Sequence, residues 1–253
     1  MKPIKGLLFD IGGVLYVGDK VIEKAPEAII KLHDAFPMRF VTNTTRTLPA
    51  TILKKLENFG FDIKPEELFT ALDVTRDFVR SQGATVLPVM TDEAERYFAS
   101  LVSAKPDFVV VGDAHTNFDY SHLNRAFRAL MAGADLIAAA KNRYFKDEDG
   151  ALSMDAGGFI RALEYASGKE ARIIGKPSQT FFHLAVASMG LQAHEVLMIG
   201  DDIESDIKGA QDAGLQTALV KTGKFQPNDL EKGIRPDLIL ENVTDLVGYL
   251  LYR

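Results

Sequence analysis

Four short apolar runs in the sequence each end in polar residues that can bind a metal ion and a phosphate group. The polar residues are Asp10, Thr42-Asn43, Gly175-Lys176-Pro177 and Gly200-Asp201-Asp202. Together they supply carboxylates, an ammonium group, a hydroxyl and an amide. Carboxylate oxygens are preferred ligands of Mg²⁺, and a lysine neutralises the charge of a phosphate. These residue types therefore predict a magnesium site next to a phosphate-binding site.

Each of these segments also has an ordinary structural interpretation when it is taken alone. Asp10, after a buried strand, is typical of a turn or a helix cap, and residues 42–45 are typical of a capping cluster. Gly175-Lys176-Pro177 is a common surface turn, and Asp202 is typical of a solvated acidic helix start. The functional interpretation depends on the four segments occurring together.

The elements around these residues alternate between β-rich apolar runs and amphipathic helical stretches. This alternation predicts an α/β fold with a doubly wound parallel sheet, covered by helices on both faces. In such a sheet ligands bind beyond the carboxyl ends of the strands, near the switch point. Strands are predicted at residues 6–9, 39–41, 171–174, 196–199, 217–220 and 238–240, and helices at residues 25–36, 48–59, 178–190, 203–213 and 243–251.

The middle of the sequence has an α/β rhythm of its own, which predicts an inserted second domain. We expect a discontinuous core domain of residues 1–74 and 170–253, and an inserted α/β cap domain of residues 75–169. Within the insertion, the basic and aromatic residues 141–146 are either a solvated edge or a gate for an anionic substrate, and residues 155–158 are predicted to form a turn. Further strands are predicted at residues 84–90, 108–111 and 135–139, and further helices at residues 91–102 and 120–131.

The composition is that of an ordinary globular protein and excludes several classes of function. The 253 residues include 29 Lys and Arg against 35 Asp and Glu, for a net charge of -6, so the basic footprint of a nucleic-acid binder is missing. The sequence has no cysteine, which excludes disulfides, thiolate nucleophiles and zinc–sulfur sites. No apolar run approaches the ~20 residues of a membrane span, and no signal peptide is recognisable. We therefore expect a cytoplasmic protein with neither a nucleic-acid nor a membrane partner.

Taken together, the four segments resemble the motifs of the haloacid dehalogenase (HAD) superfamily of phosphatases. In order they are Asp10-Ile11-Gly12-Gly13-Val14-Leu15, Val41-Thr42-Asn43, Gly175-Lys176-Pro177, and Gly200-Asp201-Asp202 with Asp206. The insertion between the second and third motifs resembles the NagD-type branch with its α/β cap. The resemblance covers essentially the whole chain. It implies a Rossmann-like core, an Mg²⁺-dependent phosphohydrolase activity, a small phosphorylated substrate and a homodimer formed through the cap.

The resemblance implies a role for each motif residue. Asp10 is the expected nucleophile, which attacks phosphorus to form an aspartyl-phosphate. Asp10, Asp201 and the backbone carbonyl of Gly12 are the expected Mg²⁺ ligands. Lys176 is expected to balance the charge of Asp10 and of the transferring phosphoryl group. The remaining assignments are phosphate binding by Ile11, Gly12, Thr42 and Asn43, and orientation of Lys176 or of a metal-bound water by Asp206 and Asp202.

The departure from the family pattern is Gly12, which stands where the usual motif has a second aspartate. That aspartate protonates the leaving group and then activates water, and glycine can do neither. General acid–base help is typically worth about 10²–10⁴-fold. We therefore expect a preference for leaving groups that need little protonation, as in aryl phosphates, pyrophosphate and phosphoramidates. His115 or His122 is a candidate for a replacement acid.

Gly12 also leaves other functions open. A chain that has lost its acid–base group can keep Asp10, Asp201, Thr42 and Lys176 as ligands, and then acts as a catalytically weak phosphate-metabolite binding or sensor protein. A dehalogenase is less well supported, because displacing a halide from carbon needs no Mg²⁺. A phosphomutase is disfavoured, because it normally uses the missing aspartate.

Overall fold

The computed structural model describes residues 2–146 and 151–252, which form two parallel sheets flanked by helices. The strands are β1 (Gly6–Asp10), β2 (Tyr16–Val17), β3 (Lys20–Val21), β4 (Met38–Thr42), β5 (Leu68–Thr70), β6 (Val86–Val89), β7 (Phe108–Val111), β8 (Asp135–Ala138), β9 (Tyr144–Lys146), β10 (Leu152–Met154), β11 (Arg172–Ile173), β12 (Val196–Gly200), β13 (Gln216–Val220) and β14 (Leu238–Leu240). The α-helices are α1 (Ala25–His33), α2 (Pro49–Asn58), α3 (Ala71–Ser81), α4 (Asp92–Tyr97), α5 (Tyr120–Met131), α6 (Ala156–Ser167), α7 (Gln179–Ala187), α8 (Gly209–Asp212) and α9 (Asp245–Leu251).

The larger sheet has the strand order β14-β13-β12-β1-β4-β5, and all its pairings are parallel. Side chains alternate between the two faces of a strand. Leu7 and Phe9 of β1 therefore pack in a core with α1, α2 and α9, whereas Leu8 packs with α7 and α8 on the opposite face. This arrangement confirms the predicted doubly wound α/β fold. Its strand order runs outward in both directions from β1 and β12, which places the switch point between their carboxyl ends.

The smaller sheet is also parallel, with the order β11-β8-β7-β6. Val109 and Val111 of β7 pack with α5 and α6, and Val110 packs with α3 and α4 on the other face. The second α/β unit in the middle of the chain therefore has a core of its own. None of the helices in the described ranges is both long and apolar enough to cross a lipid bilayer.

One strand lies in a different sheet from the one that the sequence pattern indicates. We expected the strand before Gly175 to join the larger sheet, like the other strands that end in site residues. β11 instead pairs with β8 at the edge of the smaller sheet, with Arg172 opposite Ile137 and Ile173 opposite Ala138. A two-residue strand is too short for its sequence pattern to show whether it lies at the edge of one sheet or in the interior of another. The domain boundary at residue 170 stays a prediction.

Two predicted helices are interrupted in the structure. Residues 91–102 form α4 followed by a short 3-10 helix at Ala99–Leu101. Residues 203–213 begin with a π-helical segment, Ile203–Lys208, which continues into α8. In addition, β5 and α3 occupy a stretch for which we predicted no element.

The predicted turn at residues 155–158 is wrong, because these residues begin α6. Asp155 is the N-cap, and its side chain accepts a hydrogen bond from the backbone N–H of Ala156. Glycine has a low helix propensity, which favours the turn interpretation. Gly157 is there for a different reason: a Cβ at this position would lie 2.5 Å from the backbone oxygen of Asn142. The glycine thus permits a close backbone approach that the local sequence does not reveal.

Candidate active site

A cavity of about 370 Å³ lies at the carboxyl ends of the central strands of the larger sheet. Asp10 ends β1, Thr42 ends β4 and Asp201 follows β12, so three predicted site residues meet there. Their convergence follows from the parallel sheet, in which all carboxyl ends share one edge. Loops that follow β7 and β8, strand β9 and the start of α6 complete the cavity from the side of the smaller sheet, with Asp113, Asn142, Phe145 and Asp155.

Lys176 lies between two of the predicted carboxylates. Its Nζ atom is 2.6 Å from Oδ1 of Asp10 and 2.6 Å from Oδ1 of Asp206, and its side chain is only 3% exposed. Burial lowers the pKa of Lys176, but the charges of Asp10 and Asp206 outweigh it and raise this pKa above its ordinary value. The lysine is therefore a fixed positive charge next to the expected nucleophile.

Asn43 holds the main chain of Lys176 in place. Its side-chain oxygen accepts a hydrogen bond from the backbone N–H of Lys176 at 2.8 Å. Its Nδ2 atom donates to the backbone oxygen of Lys176 at 2.8 Å and to Oδ1 of Asn142 at 3.1 Å. An amide nitrogen has two N–H bonds, and both are occupied here. A phosphoryl contact by Asn43 would therefore use its backbone N–H instead of its side chain.

Asp10, Asp201 and Asp206 form a compact buried cluster with the chemistry of a metal site. One oxygen from each lies within 4.8 Å of the others, and all three residues are buried. Burial, followed by the charges of Asp10 and Asp206, raises the pKa of Asp201 well above its ordinary value. Burial also raises the pKa of Asp206 to about 7, although Lys176 acts in the opposite direction. The excess of buried negative charge and the oxygen donors fit a hard divalent cation.

The two glycines after the nucleophile differ in what surrounds them. Gly13 has a φ of 91°, and a Cβ there would lie 2.0 Å from Oδ2 of Asp201, so only glycine fits. Among the described residues, no atom lies within 4 Å of a Cβ placed on Gly12. Gly12 therefore leaves a space that the side chains of the described residues do not fill.

A loop after β13 contributes site residues to which we assigned no role from the sequence. The backbone N–H of Lys224 donates to Oδ2 of Asp201 at 2.6 Å, and the Thr222 hydroxyl donates to the backbone oxygen of Gly13. A Cβ on Gly223 would lie 1.9 Å from Oδ2 of Asp201. This loop follows the carboxyl end of a parallel strand. That position is the sequence feature that could have identified it as part of the site. Its effect is to fix the orientation of the Asp201 carboxylate.

The other predicted site residues have mainly local contacts. Oδ1 of Asp202 accepts hydrogen bonds from the N–H groups of Glu204 and Ser205, both at 3.0 Å, so this side chain caps the helical segment that begins at Ile203. The Thr42 hydroxyl donates to Oγ1 of Thr44 at 3.0 Å while lining the cavity. The side chain of Ile11 is buried in the core of the larger sheet, so only its backbone can take part in phosphate binding.

The cavity is also where the two sheets' loops contact each other. Nε of Arg46 is 2.9 Å from Oδ2 of Asp113, and its guanidinium lies over the ring of Phe145 at 5.4 Å. Of the predicted gate, Lys141 pairs with Glu164 at 2.6 Å, and the side chain of Lys146 lies outside the part that the structure describes.

Neither histidine proposed as a replacement acid lines this cavity within the described ranges. His122 pairs with Asp119, with its Nδ1 atom 2.9 Å from Oδ2, and His115 precedes this pair in a short 3-10 helix.

Two family models and several relatives match this sequence. A family model described as haloacid dehalogenase-like hydrolase matches residues 7–101, and one described as HAD-hydrolase-like matches residues 173–246. The chain is 39% identical to haloacid dehalogenase-like hydrolase domain-containing protein 2 of Bos taurus, over 99% of this chain and 97% of that protein. It is 36% identical to phospholysine phosphohistidine inorganic pyrophosphate phosphatase of Rattus norvegicus, over 99% and 96%.

Solved structures show the same architecture. The 4-nitrophenylphosphatase of Thermotoga maritima has a TM-score of 0.90 and 25% identity, and the match covers 98% of this chain and 97% of that one. NagD of E. coli shares the fold with a TM-score of 0.85 and 24% identity, over 96% and 98%. Glycerol phosphate phosphatase of Mycobacterium tuberculosis, solved in complex with magnesium, has a TM-score of 0.85 and 28% identity, over 97% and 77%.

Replacing Gly223 with alanine tests the steric role of the loop after β13. The new methyl group would displace the Asp201 carboxylate, and we expect phosphatase activity to fall about 10–100-fold, as for other changes that disturb a ligand's support. Gly83→Ala is the matched control, because Gly83 also has a φ of 62°. No atom of the described residues lies within 4 Å of a Cβ placed on Gly83. Both variants should lose about 1–2 kcal/mol of stability from the left-handed backbone. Equal loss of activity in both, measured with 4-nitrophenyl phosphate, would contradict the steric role.

Proposed function

Since this chain belongs to the haloacid dehalogenase-like hydrolases and is a phosphatase of the NagD type, we propose that it hydrolyses small phosphorylated compounds through an aspartyl-phosphate on Asp10. The observation that carries the proposal is the Lys176 ammonium, which lies 2.6 Å from both Asp10 and Asp206 beside the Asp201 carboxylate. A nucleophile, a fixed positive charge and a cation-binding cluster thus face one cavity.

In the proposed first step, an oxygen of Asp10 attacks phosphorus and forms the aspartyl-phosphate. The bond from phosphorus to the leaving group breaks, and its electron pair departs with that group. Lys176 orients Asp10 and offers positive charge where negative charge develops on the phosphoryl oxygens. Water then attacks phosphorus, the bond to Asp10 breaks, and inorganic phosphate leaves.

We further propose Mg²⁺ as the metal, held by Asp10, Asp201 and the backbone carbonyl of Gly12. The oxygen donors and their excess of buried negative charge support this assignment. The magnesium complex of the similar Mycobacterium tuberculosis phosphatase also supports it. When bound, Mg²⁺ supplies Lewis-acid stabilisation of the phosphoryl oxygens. Asp206, whose Oδ1 lies 2.6 Å from Nζ of Lys176, would hold the lysine in place.

The proposed substrates are those whose leaving groups need little protonation: aryl phosphates, pyrophosphate and phosphoramidates. The lack of a side chain at Gly12 supports this preference, as does the space there, in which no atom of the described residues lies within 4 Å of a Cβ position. So do the names of similar proteins, which refer to 4-nitrophenyl phosphate, to phospholysine and phosphohistidine, and to inorganic pyrophosphate. No observation favours the alternative of a binding or sensor protein. A homodimer through the smaller sheet's unit and a cytoplasmic location stay predictions.

The test of the aspartyl-phosphate is the Asp10→Asn variant. The amide is a poor nucleophile, so we expect turnover of 4-nitrophenyl phosphate to disappear. Acid-quenched wild-type enzyme should retain radiolabel from a labelled substrate, and the variant should not. Asp62→Asn serves as the control and should behave like wild type, because Asp62 is exposed and is not among the residues that line the cavity. Full turnover by Asp10→Asn would refute the mechanism.

Magnesium binding should be measurable without any reaction. Mg²⁺ relieves the repulsion among Asp10, Asp201 and Asp206, so it should stabilise the metal-free protein. At a Mg²⁺ concentration of about 100 times Kd the gain is ~2.7 kcal/mol, which corresponds to a rise in Tm of about 5–10 °C. Asp201→Asn should lose most of this rise, whereas Asp62→Asn should keep it. An equal rise in all three proteins would show that Mg²⁺ binds elsewhere.

A series of phosphate esters tests the role assigned to Gly12. We expect kcat/KM to increase steeply as the pKa of the leaving group falls, because no group at residue 12 supplies a proton. Gly12→Asp should increase the rate with alkyl phosphates alone, and Gly12→Asn, which has the same size but no acid, should not. A flat dependence in wild type with chemistry rate-limiting, or an equal gain with all esters, would count against the proposal.

A further inference from the structure

Hydrolysis of an aspartyl-phosphate needs a base for the attacking water, whatever the leaving group was. In-line attack on phosphorus comes from the side opposite Asp10, which is the side the leaving group has vacated. In this protein the segments from the smaller sheet's side that complete the cavity contribute two carboxylates to its lining, Asp113 and Asp155.

We propose that Asp155 is the base that activates water in the second half of the reaction, an inference that rests on the proposed function. Asp155, at the start of α6, would supply the proton acceptor that a glycine at residue 12 cannot provide. The first half-reaction would remain without an acid, which is compatible with the preference for good leaving groups.

A chain of hydrogen bonds fixes Asp155 relative to the reacting groups. Its carboxylate accepts a hydrogen bond from the side chain of Asn142. Oδ1 of Asn142 in turn accepts a hydrogen bond from Nδ2 of Asn43 at 3.1 Å. The Asn43 side chain also bonds to both the N–H group and the carbonyl oxygen of the Lys176 main chain. Lys176 contacts Asp10 directly. Asp155 is thus connected to the nucleophile through side chains that already belong to the site.

The other titratable groups around the cavity are less suited to this role. Asp113 is paired with Arg46 at 2.9 Å, whereas Asp155 forms no ion pair within 4 Å in the described ranges. Burial, with the charges of Asp10 and Asp19, raises the pKa of Tyr16 to about 12, so its hydroxyl stays protonated at neutral pH.

The surroundings of Asp155 favour a carboxylate of increased basicity. Burial raises its pKa, and the charge of Asp113 adds to this effect. The N–H group of Ala156, the charge of Lys224 and the Asn142 hydrogen bond act in the opposite direction but do not cancel it. The backbone N–H of Asp155 donates a hydrogen bond to the backbone oxygen of Arg143 at 3.1 Å. A base is more effective when its pKa approaches the working pH.

The proposed step transfers the phosphoryl group from Asp10 to water. The water oxygen forms a bond to phosphorus while Asp155 accepts one of the water protons. The bond from phosphorus to Asp10 breaks, and its electron pair returns to the Asp10 carboxylate. Inorganic phosphate leaves, and Asp155 passes its proton to solvent.

The decisive experiment is pre-steady-state kinetics of Asp155→Asn with 4-nitrophenyl phosphate. Asparagine is as good an N-cap as aspartate, so α6 should be retained. We expect a burst of nitrophenol close to one equivalent per site, accumulation of acid-stable phosphoenzyme, and a fall in kcat of about 10²–10⁴-fold. The acid limb of the kcat–pH profile, where wild type loses activity as the base is protonated, should disappear in the variant.

The controls separate this role from a structural one. Asp119→Asn changes the N-cap of α5, which has the same length as α6 but lies outside the cavity, and it should behave like wild type. Asp155→Ser keeps a capping side chain without a base and should repeat the burst of Asp155→Asn. Wild-type kcat and phosphoenzyme level in folded Asp155→Asn or Asp155→Ser would overturn this inference alone. Full turnover by Asp10→Asn would instead overturn the proposed function.

Discussion

The charge balance at the end of β1 is the constraint on which the rest of the site depends. Three buried carboxylates lie within a few ångströms of one another, and Lys176 is in direct contact with two of them. Unpaired charge is costly to bury, so a cluster of this kind requires a lysine of fixed position and favours a bound cation. The residues around the cavity hold these carboxylates and the lysine in position.

Steric supports come from residues without side chains. Gly13 and Gly223 leave room for the carboxylate of Asp201, and a Cβ on Gly200 would lie 2.3 Å from that of Asp206. Any larger residue at these positions would displace a carboxylate. By contrast, Gly12 has free space around it, so its lack of a side chain matters for chemistry and not for packing.

The lysine is held from both sheets. β11 belongs to the smaller sheet, yet the loop that follows it delivers Lys176 to the carboxyl end of β1 in the larger sheet. Asn43, from the loop after β4, binds the main chain of Lys176 and also contacts Asn142. Contacts between the sheets therefore converge on the candidate active site, and a change in their relative position would act directly on the lysine.

The amino-acid pattern by itself determined the doubly wound fold and the convergence of Asp10, Thr42 and Asp201, because strand ends in a parallel sheet must meet at one edge. Only the tertiary structure decided which sheet carries β11, that Gly157 continues a helix, and that Asp155 and the loop at Lys224 reach the same cavity. The reason is physical: periodicity records which face of an element is buried, whereas these features depend on close approaches between segments that are distant in the chain. Such approaches are selected by packing, which overrides the weak local preferences of short strands and of glycine.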